Sequence, residues 1–276
     1  MTELHRRGLL ALGLAGGAAV SGAPAESRAR LNPGPKLTPA VTEGPYYLAD
    51  APVRADIREG LPGVAVALRF HVFDETGAPL PGARVDVWHC DAQGRYSGFG
   101  DAPGRAPPAA LKAARFLRGI QRVDDGGLAA FKTVYPGWYE GRTTHIHYKV
   151  WLGERALLTS QVFLPDALNE FLYLQVADYK RGRLRDTLNS NDGVARQGGE
   201  ATFAAVAQGE DRFRVDFDVV VDRRARPRAE SGPSGFAADA LPPDFPDDGP
   251  GRDGPGGRPT LTGDARTAAL LPKAST

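Results

Sequence analysis

Ten consecutive residues, Trp138-Tyr139-Glu140-Gly141-Arg142-Thr143-Thr144-His145-Ile146-His147, gather a phenol, a guanidinium and two imidazoles. Along a strand successive side chains point to opposite faces, so His145 and His147 share one face and Ile146 takes the other. Two imidazoles on one face can bind a single transition-metal ion. Tyr139, six positions before His145, can add a phenolate oxygen, a hard anionic donor suited to ferric iron. A second tyrosine, Tyr96, follows the run Val87-Trp88-His89-Cys90-Asp91-Ala92-Gln93-Gly94-Arg95, where a strand gives way to a turn. The chain is therefore read first for metal chemistry.

The elements that must position these groups are strands. Period-two alternation, the mark of half-buried strands, marks Val64–Phe73, Arg84–His89, a segment near Ile120, Leu128–Val134, His145–Leu152, Leu157–Leu164 and Phe213–Val219. Asp74-Glu75-Thr76-Gly77, Pro81-Gly82 and Asp125-Gly126-Gly127 supply turns between them. Helical periodicity is scarce, and Asp166–Ala177 is the best candidate. Many short strands with turn-rich gaps predict an all-β fold, an antiparallel β-sandwich with long loops. Its expected extent is residues 37–222.

Three blocks in order, Thr42-Glu43-Gly44-Pro45-Tyr46-Tyr47, Trp88 to Tyr96, and Pro136-Gly137-Trp138-Tyr139 through His147, make the chain resemble the intradiol ring-cleavage dioxygenases. That family includes the protocatechuate 3,4-dioxygenases and the catechol 1,2-dioxygenases. The resemblance implies a non-haem Fe(III) cofactor held by Tyr96, Tyr139, His145 and His147. It implies that Arg142, three positions before His145, stabilises negative charge developing on the substrate, with Gln161 orienting it. It implies that Tyr46 and Tyr47 line the substrate pocket. The partners it implies are a small catecholic substrate and O₂, and the products are cis,cis-muconate type diacids formed by cleavage between the two hydroxylated carbons. Ferric iron with two phenolates and a hydroxide is a neutral centre, and a neutral centre is far cheaper to bury than a charged one.

Each residue taken singly has a plainer reading: Tyr96 as a core tyrosine, Tyr139 as a turn tyrosine, the histidines as an exposed strand face, Arg142 as a surface arginine. The ordered set carries the assignment. His71, His89 and Cys90 match no ligand position and are read as structural, as is the loop Arg185–Asp192. The resemblance has departures. The stretch before Thr42 has no room for the helical dimerisation segment of the catechol enzymes, and the loop from Tyr139 to His145 is short. Both favour an exported, protocatechuate-like branch with an open site. Two other readings stand beside it: a non-catalytic β-sandwich binding module, and a copper or Fe(II) site combining His145 and His147 with a nearby carboxylate, Asp91 or Glu140.

The ends of the 276-residue chain read differently from its middle. His5-Arg6-Arg7-Gly8-Leu9-Leu10 is a twin-arginine start, and Gly8–Val20 is a thirteen-residue apolar stretch, short of the ~20 residues that span a bilayer. Ala23-Pro24-Ala25 offers a cleavage site. Residues 1–25 are expected to be a twin-arginine signal peptide that sends the protein to the periplasm or beyond, with no stable membrane insertion after cleavage, and residues 26–36 a linker. The net charge is +1, and loss of Arg6, Arg7 and Glu3 with the signal leaves zero, so there is no bulk electrostatic case for nucleic acid. The single cysteine excludes an intrachain disulfide and any zinc site built on several cysteines. From Arg223 the chain is rich in Pro, Gly and Asp, and residues 223–276 are expected to be a disordered tail because they bury too little apolar surface to offset ordering.

Overall fold

In the computed structural model, residues 35–99, 108–226 and 260–270 are described. The expected signal peptide and most of the linker lie outside the described residues.

Eight strands form among the described residues: β1 Ala65–Asp74, β2 Arg84–Trp88, β3 Arg118–Arg122, β4 Leu128–Val134, β5 His145–Leu152, β6 Arg155–Phe163, β7 Ala205–Gln208 and β8 Phe213–Val221. They make two four-stranded sheets, ordered β4-β1-β8-β7 and β3-β2-β5-β6. The helices are α1 Ala109–Lys112, α2 Asp166–Gln175, α3 Gly193–Gly198 and α4 Gly263–Leu270. The expected helix from Asp166 stops at Gln175, and the expected strands agree with the observed ones to within two residues at most ends. The short edge strand β7 was not expected.

Alternation builds the sandwich. Along β1 the side chains of Val66, Leu68, Phe70 and Val72 are buried while their neighbours are half-buried. Tyr148 of β5 lies 5.0 Å from Phe70 of β1 and 5.7 Å from Phe217 of β8, ring centre to ring centre, so aromatic contacts join the two sheets. The expectation of antiparallel order holds for every strand pair but one: β1 and β8 run parallel. Parallel neighbours need a long crossover, and here the whole intervening domain serves as one, a pairing that local periodicity does not record.

The strand that carries the histidines differs from a half-buried one. Ile146, Tyr148 and Val150 face the core between the sheets, and His145, His147 and Lys149 on the other face are buried as well. That outer face is roofed by loops. Across it, Trp88 of β2, His147 of β5 and Gln161 of β6 are register partners in one row, and Asp86 opposite Lys149 makes the next.

Candidate metal centre

Two loops deliver the tyrosines. After β2 the chain turns at Asp91, whose carboxylate accepts from the Gln93 and Arg95 amides, both at 2.9 Å. The second loop, Pro136–Tyr139, lies directly against it: the Gly137 amide donates to the Asp91 carbonyl at 3.0 Å. The approach is backbone to backbone. A Cβ on Gly94, which has φ +83, would collide with the Trp138 carbonyl oxygen, and one on Gly137 with the carbonyls of Asp91 and Ala92. These glycines let the loops close up and set the spacing of Tyr96 and Tyr139. The Arg181 guanidinium stacks 3.9 Å from the centre of the Trp138 ring and bonds the Gln93 carbonyl, spanning both loops.

The four expected donors come together around one point. Tyr139 Oη lies 3.1 Å from His145 Nε2, Tyr96 Oη 3.5 Å, and His147 Nε2 3.0 Å. First-row ions take nitrogen and oxygen ligands at about 2.0–2.2 Å, which puts neighbouring donors about 3.0–3.5 Å apart. The donor set thus has the spacing of edges of one coordination polyhedron. His145 Nδ1 lies 2.6 Å from the Thr143 carbonyl; it must donate there, which leaves Nε2 with its lone pair toward the cluster. The flat face of Trp88 stacks on His147 at 4.9 Å and 8°.

Burial sets the protonation of the group. It pushes the His145 imidazole down to about 3, with the Arg142 charge in the same direction, and holds His147 well below its ordinary value. Both rings are neutral, the form that ligates. Burial pushes the Tyr139 phenol up to about 12 against the lowering effect of Arg142, and Tyr96 well above the ordinary value. The protein alone keeps the phenols protonated, so a cation must supply the phenolates. Two neutral imidazoles and two phenol oxygens make a nitrogen and oxygen donor set that fits a transition-metal ion.

The two tyrosines are not equivalent. Tyr96 is 1% exposed and its ring stacks on Tyr46 at 4.0 Å and 8°, whereas Tyr139 is half-buried. Tyr46 is itself buried and meets Tyr139 edge-on at 5.9 Å; it packs against both phenols, whose rings also meet each other at 5.7 Å. The Arg118 guanidinium, buried and pushed down to about 9 by burial, fixes this stack by donating to the Tyr46 carbonyl at 2.6 Å and the Ser97 carbonyl at 2.8 Å. Tyr47 sits one ring further out, 4.9 Å from Trp88, with its hydroxyl donating to Asp86 at 2.8 Å. Lys149 pins this segment across the sheet through Glu43 at 2.5 Å.

Arg142 and Gln161 meet. Arg142 Nη2 donates to Gln161 Oε1 at 2.6 Å, and Gln161 Nε2 donates to the Thr42 carbonyl at 2.9 Å. The other side of the guanidinium is held by Asp192, the last residue of the loop Arg185–Asp192 that is expected to be structural. Asp192 Oδ2 accepts from Arg142 Nε and from the Thr143 amide, both at 2.8 Å, while Oδ1 caps α3 by accepting from Val194 and Ala195. Asp192-Gly193 before a short helix is an N-cap signal, but nothing local points that carboxylate at a residue fifty positions earlier. His89 and Cys90 are buried structural residues, His89 lying 2.7 Å from Thr133 Oγ1 and 2.8 Å from the Cys90 carbonyl. The carboxylates of the alternative site are engaged elsewhere, Asp91 with Arg95 and Glu140 with Arg183. Among the described residues no three of His, Cys, Asp and Glu are grouped so that they could hold a metal ion.

A family model described as "Dioxygenase" matches residues 42–222, which include every residue of this cluster. The chain belongs to the intradiol ring-cleavage dioxygenases. Among its relatives within the family, it is 31% identical over 162 residues to the catechol 1,2-dioxygenase of Acinetobacter baylyi, covering 49% of this chain and 50% of that one. It is 34% identical over 160 residues to catechol 1,2-dioxygenase 2 of Acinetobacter lwoffii, covering 50% and 54%. The chain thus spans about half the length of these curated relatives. Its fold matches the intradiol ring-cleavage dioxygenase from Tetranychus urticae with a TM-score of 0.65 at 27% identity, covering 70% of this chain and 98% of that one. It also matches the dioxygenase domain of a dioxygenase and carbohydrate-binding protein fusion from Streptomyces sp. SirexAA-E, with a TM-score of 0.51 at 28% identity over 68% and 99%.

Proposed function

We propose that this protein is an Fe(III) intradiol dioxygenase that cleaves catecholic aromatics between the two hydroxylated carbons with O₂, giving cis,cis-muconate type diacids. The observation that carries the reading is the convergence of Tyr96, Tyr139 and His147 on His145 Nε2, within 3.0–3.5 Å. These four residues would hold the metal. When bound, ferric iron supplies the Lewis acidity that takes up a catecholate and activates its ring toward O₂.

The residues divide the remaining work. Tyr139 is the half-buried phenol, so its Oη is the one placed to take a proton from an incoming catechol hydroxyl. Tyr96, clamped between Tyr46 and the Arg118-bound backbone, stays put. Arg142 commits Nε to Asp192 and Nη2 to Gln161, and Nη1 is the nitrogen left to stabilise negative charge on the substrate, an electrostatic role that needs no reorganisation during reaction. Gln161 orients Arg142 and ties it to the Thr42 segment that roofs the site. Tyr46 and Tyr47 serve as wall residues. The twin-arginine start supports export of the folded protein to the periplasm or beyond.

The test is the visible spectrum of the purified iron-loaded protein, with and without catechol in the absence of O₂. A tyrosinate-to-Fe(III) charge-transfer band that shifts on catechol addition is expected, and in Tyr139→Phe the band should weaken while some iron is retained. An iron-loaded protein without such a band, or wild-type turnover in Tyr139→Phe, overturns the ligand assignment.

A further inference from the structure

A hydrogen-bonded chain runs from the C-terminal segment to Arg142. In α4, Arg266 is the one buried residue. Its guanidinium grips Glu170 of α2 with both prongs, Nε to Oε1 at 2.5 Å and Nη2 to Oε2 at 2.8 Å, while Nη1 donates to the Arg185 carbonyl at 3.2 Å. This departs from the disorder expected of the whole segment 223–276: one two-pronged ion pair, out of water, orders a piece that composition marks as unable to bury apolar surface. Glu170 answers both guanidiniums. Burial would raise its carboxyl, but the bonds to Arg266 and the charge of Arg185 hold it below its ordinary value.

Arg185 starts the loop that holds the catalytic arginine. It donates to Asp166 at 2.7 Å, and the other Asp166 oxygen accepts from the Asn189 amide at 2.9 Å. From that loop three side chains reach the segment before His145. Asp186 accepts from the Gly141 amide at 2.9 Å, Asn189 from the Thr143 hydroxyl at 2.8 Å, and Asp192 from the Arg142 guanidinium and the Thr143 amide. The loop is thus fastened at one end by Arg266 and fastens Arg142 at the other.

We infer that residues 260–270 form a C-terminal clamp, in which Arg266 acts as a positioning residue for Arg142 by holding the Arg185–Asp192 loop against α2. The catalytic consequence rests on the proposed function; the clamp itself does not. Because Arg266 is the only fully buried residue of α4, docking depends chiefly on that side chain, and loss of the segment loosens the loop without touching the sandwich.

The experiment compares hydrogen exchange in the full chain, a chain ending at Pro259, Arg266→Ala, Arg266→Lys and Glu170→Gln, all metal-free, with kcat and KM measured separately on the iron-loaded proteins. Truncation and Arg266→Ala should each speed exchange of the Gly141 and Thr143 amides by about tenfold and leave Leu68 and Phe70 of β1 unchanged. Arg266→Lys should fall between, since it keeps the charge but loses the fork, and Glu170→Gln should resemble Arg266→Ala. On the loaded proteins kcat should fall about fivefold with KM little changed, as expected when a transition-state contact is misplaced. Unchanged exchange at Gly141 and Thr143 in the truncated chain overturns the clamp, and so does equal acceleration in β1, which would signal global destabilisation. Faster exchange in a protein that turns over no catechol sustains the clamp and removes the proposed function instead.

Discussion

Replacing Asp192 by asparagine tests whether one carboxylate holds Arg142 in place. Four donors share its two oxygens: Val194 and Ala195 amides on Oδ1, the Arg142 guanidinium and the Thr143 amide on Oδ2. An asparagine can accept on one oxygen only, so its amide nitrogen must face one of these pairs. If the oxygen keeps the helix cap, the variant loses two charge-assisted bonds of about 1.5–3 kcal/mol each and leaves buried N–H groups without acceptors. The two bonds sum to about 3–6 kcal/mol, comparable to the usual cost of about 3–5 kcal/mol for breaking a buried ion pair from one side. Asp192 is 2% exposed, so solvent screening does not erase it. Urea unfolding of the metal-free protein should show that loss, and kcat/KM on the iron-loaded enzyme should drop at least about tenfold because Arg142 is released. A loss under about 1 kcal/mol with unchanged turnover would refute the reasoning, since Arg142 would then be held by something other than this carboxylate.

Two further outcomes follow from the same structure. Gly94→Ala should cost about 2–4 kcal/mol by urea unfolding, because φ +83 strains any L residue and the new Cβ collides with the Trp138 carbonyl; Gly153→Ala, at φ +61 with open space around it, should cost only about 1 kcal/mol, and equal losses would deny the close approach of the two loops. Burial pushes His89 from 6.5 down to about 4, so between those pH values the unfolded chain binds a proton that the native chain refuses. Stability therefore rises with pH across that window, by roughly 3 kcal/mol from this residue. His145 and His147 act in the same direction when metal is absent, so the readout is the difference between wild type and His89→Asn: the variant's unfolding free energy should fall less on acidification, and identical slopes would contradict a neutral buried His89.

What could be read locally was read from periods and spacings. Alternation in His145–Leu152 put both histidines on one face, and the strand forms over those residues with that side-chain division. Every strand but β7, the helix from Asp166 and the family blocks were likewise legible, because burial on one side imposes a period of two and turns need particular residues. The pairing of Arg142 with Gln161 followed from the resemblance, and the two side chains are hydrogen-bonded.

The rest depended on contacts between distant parts of the chain. That β1 runs parallel to β8, that β5 is buried on both faces, and that Tyr47 spends its hydroxyl on Asp86 are consequences of which loops lie over which strands. Asp192 and Arg266 show the same limit most clearly. Both are charged residues in segments that composition reads as loop and tail, and a charge gains its role only when folding removes water and brings the opposite charge within hydrogen-bonding distance. By itself the sequence singled out the four expected donors and the strand that presents two of them. Tertiary structure decided their spacing, their protonation and what holds the arginine beside them, because desolvation and through-space charge are properties of the packed molecule.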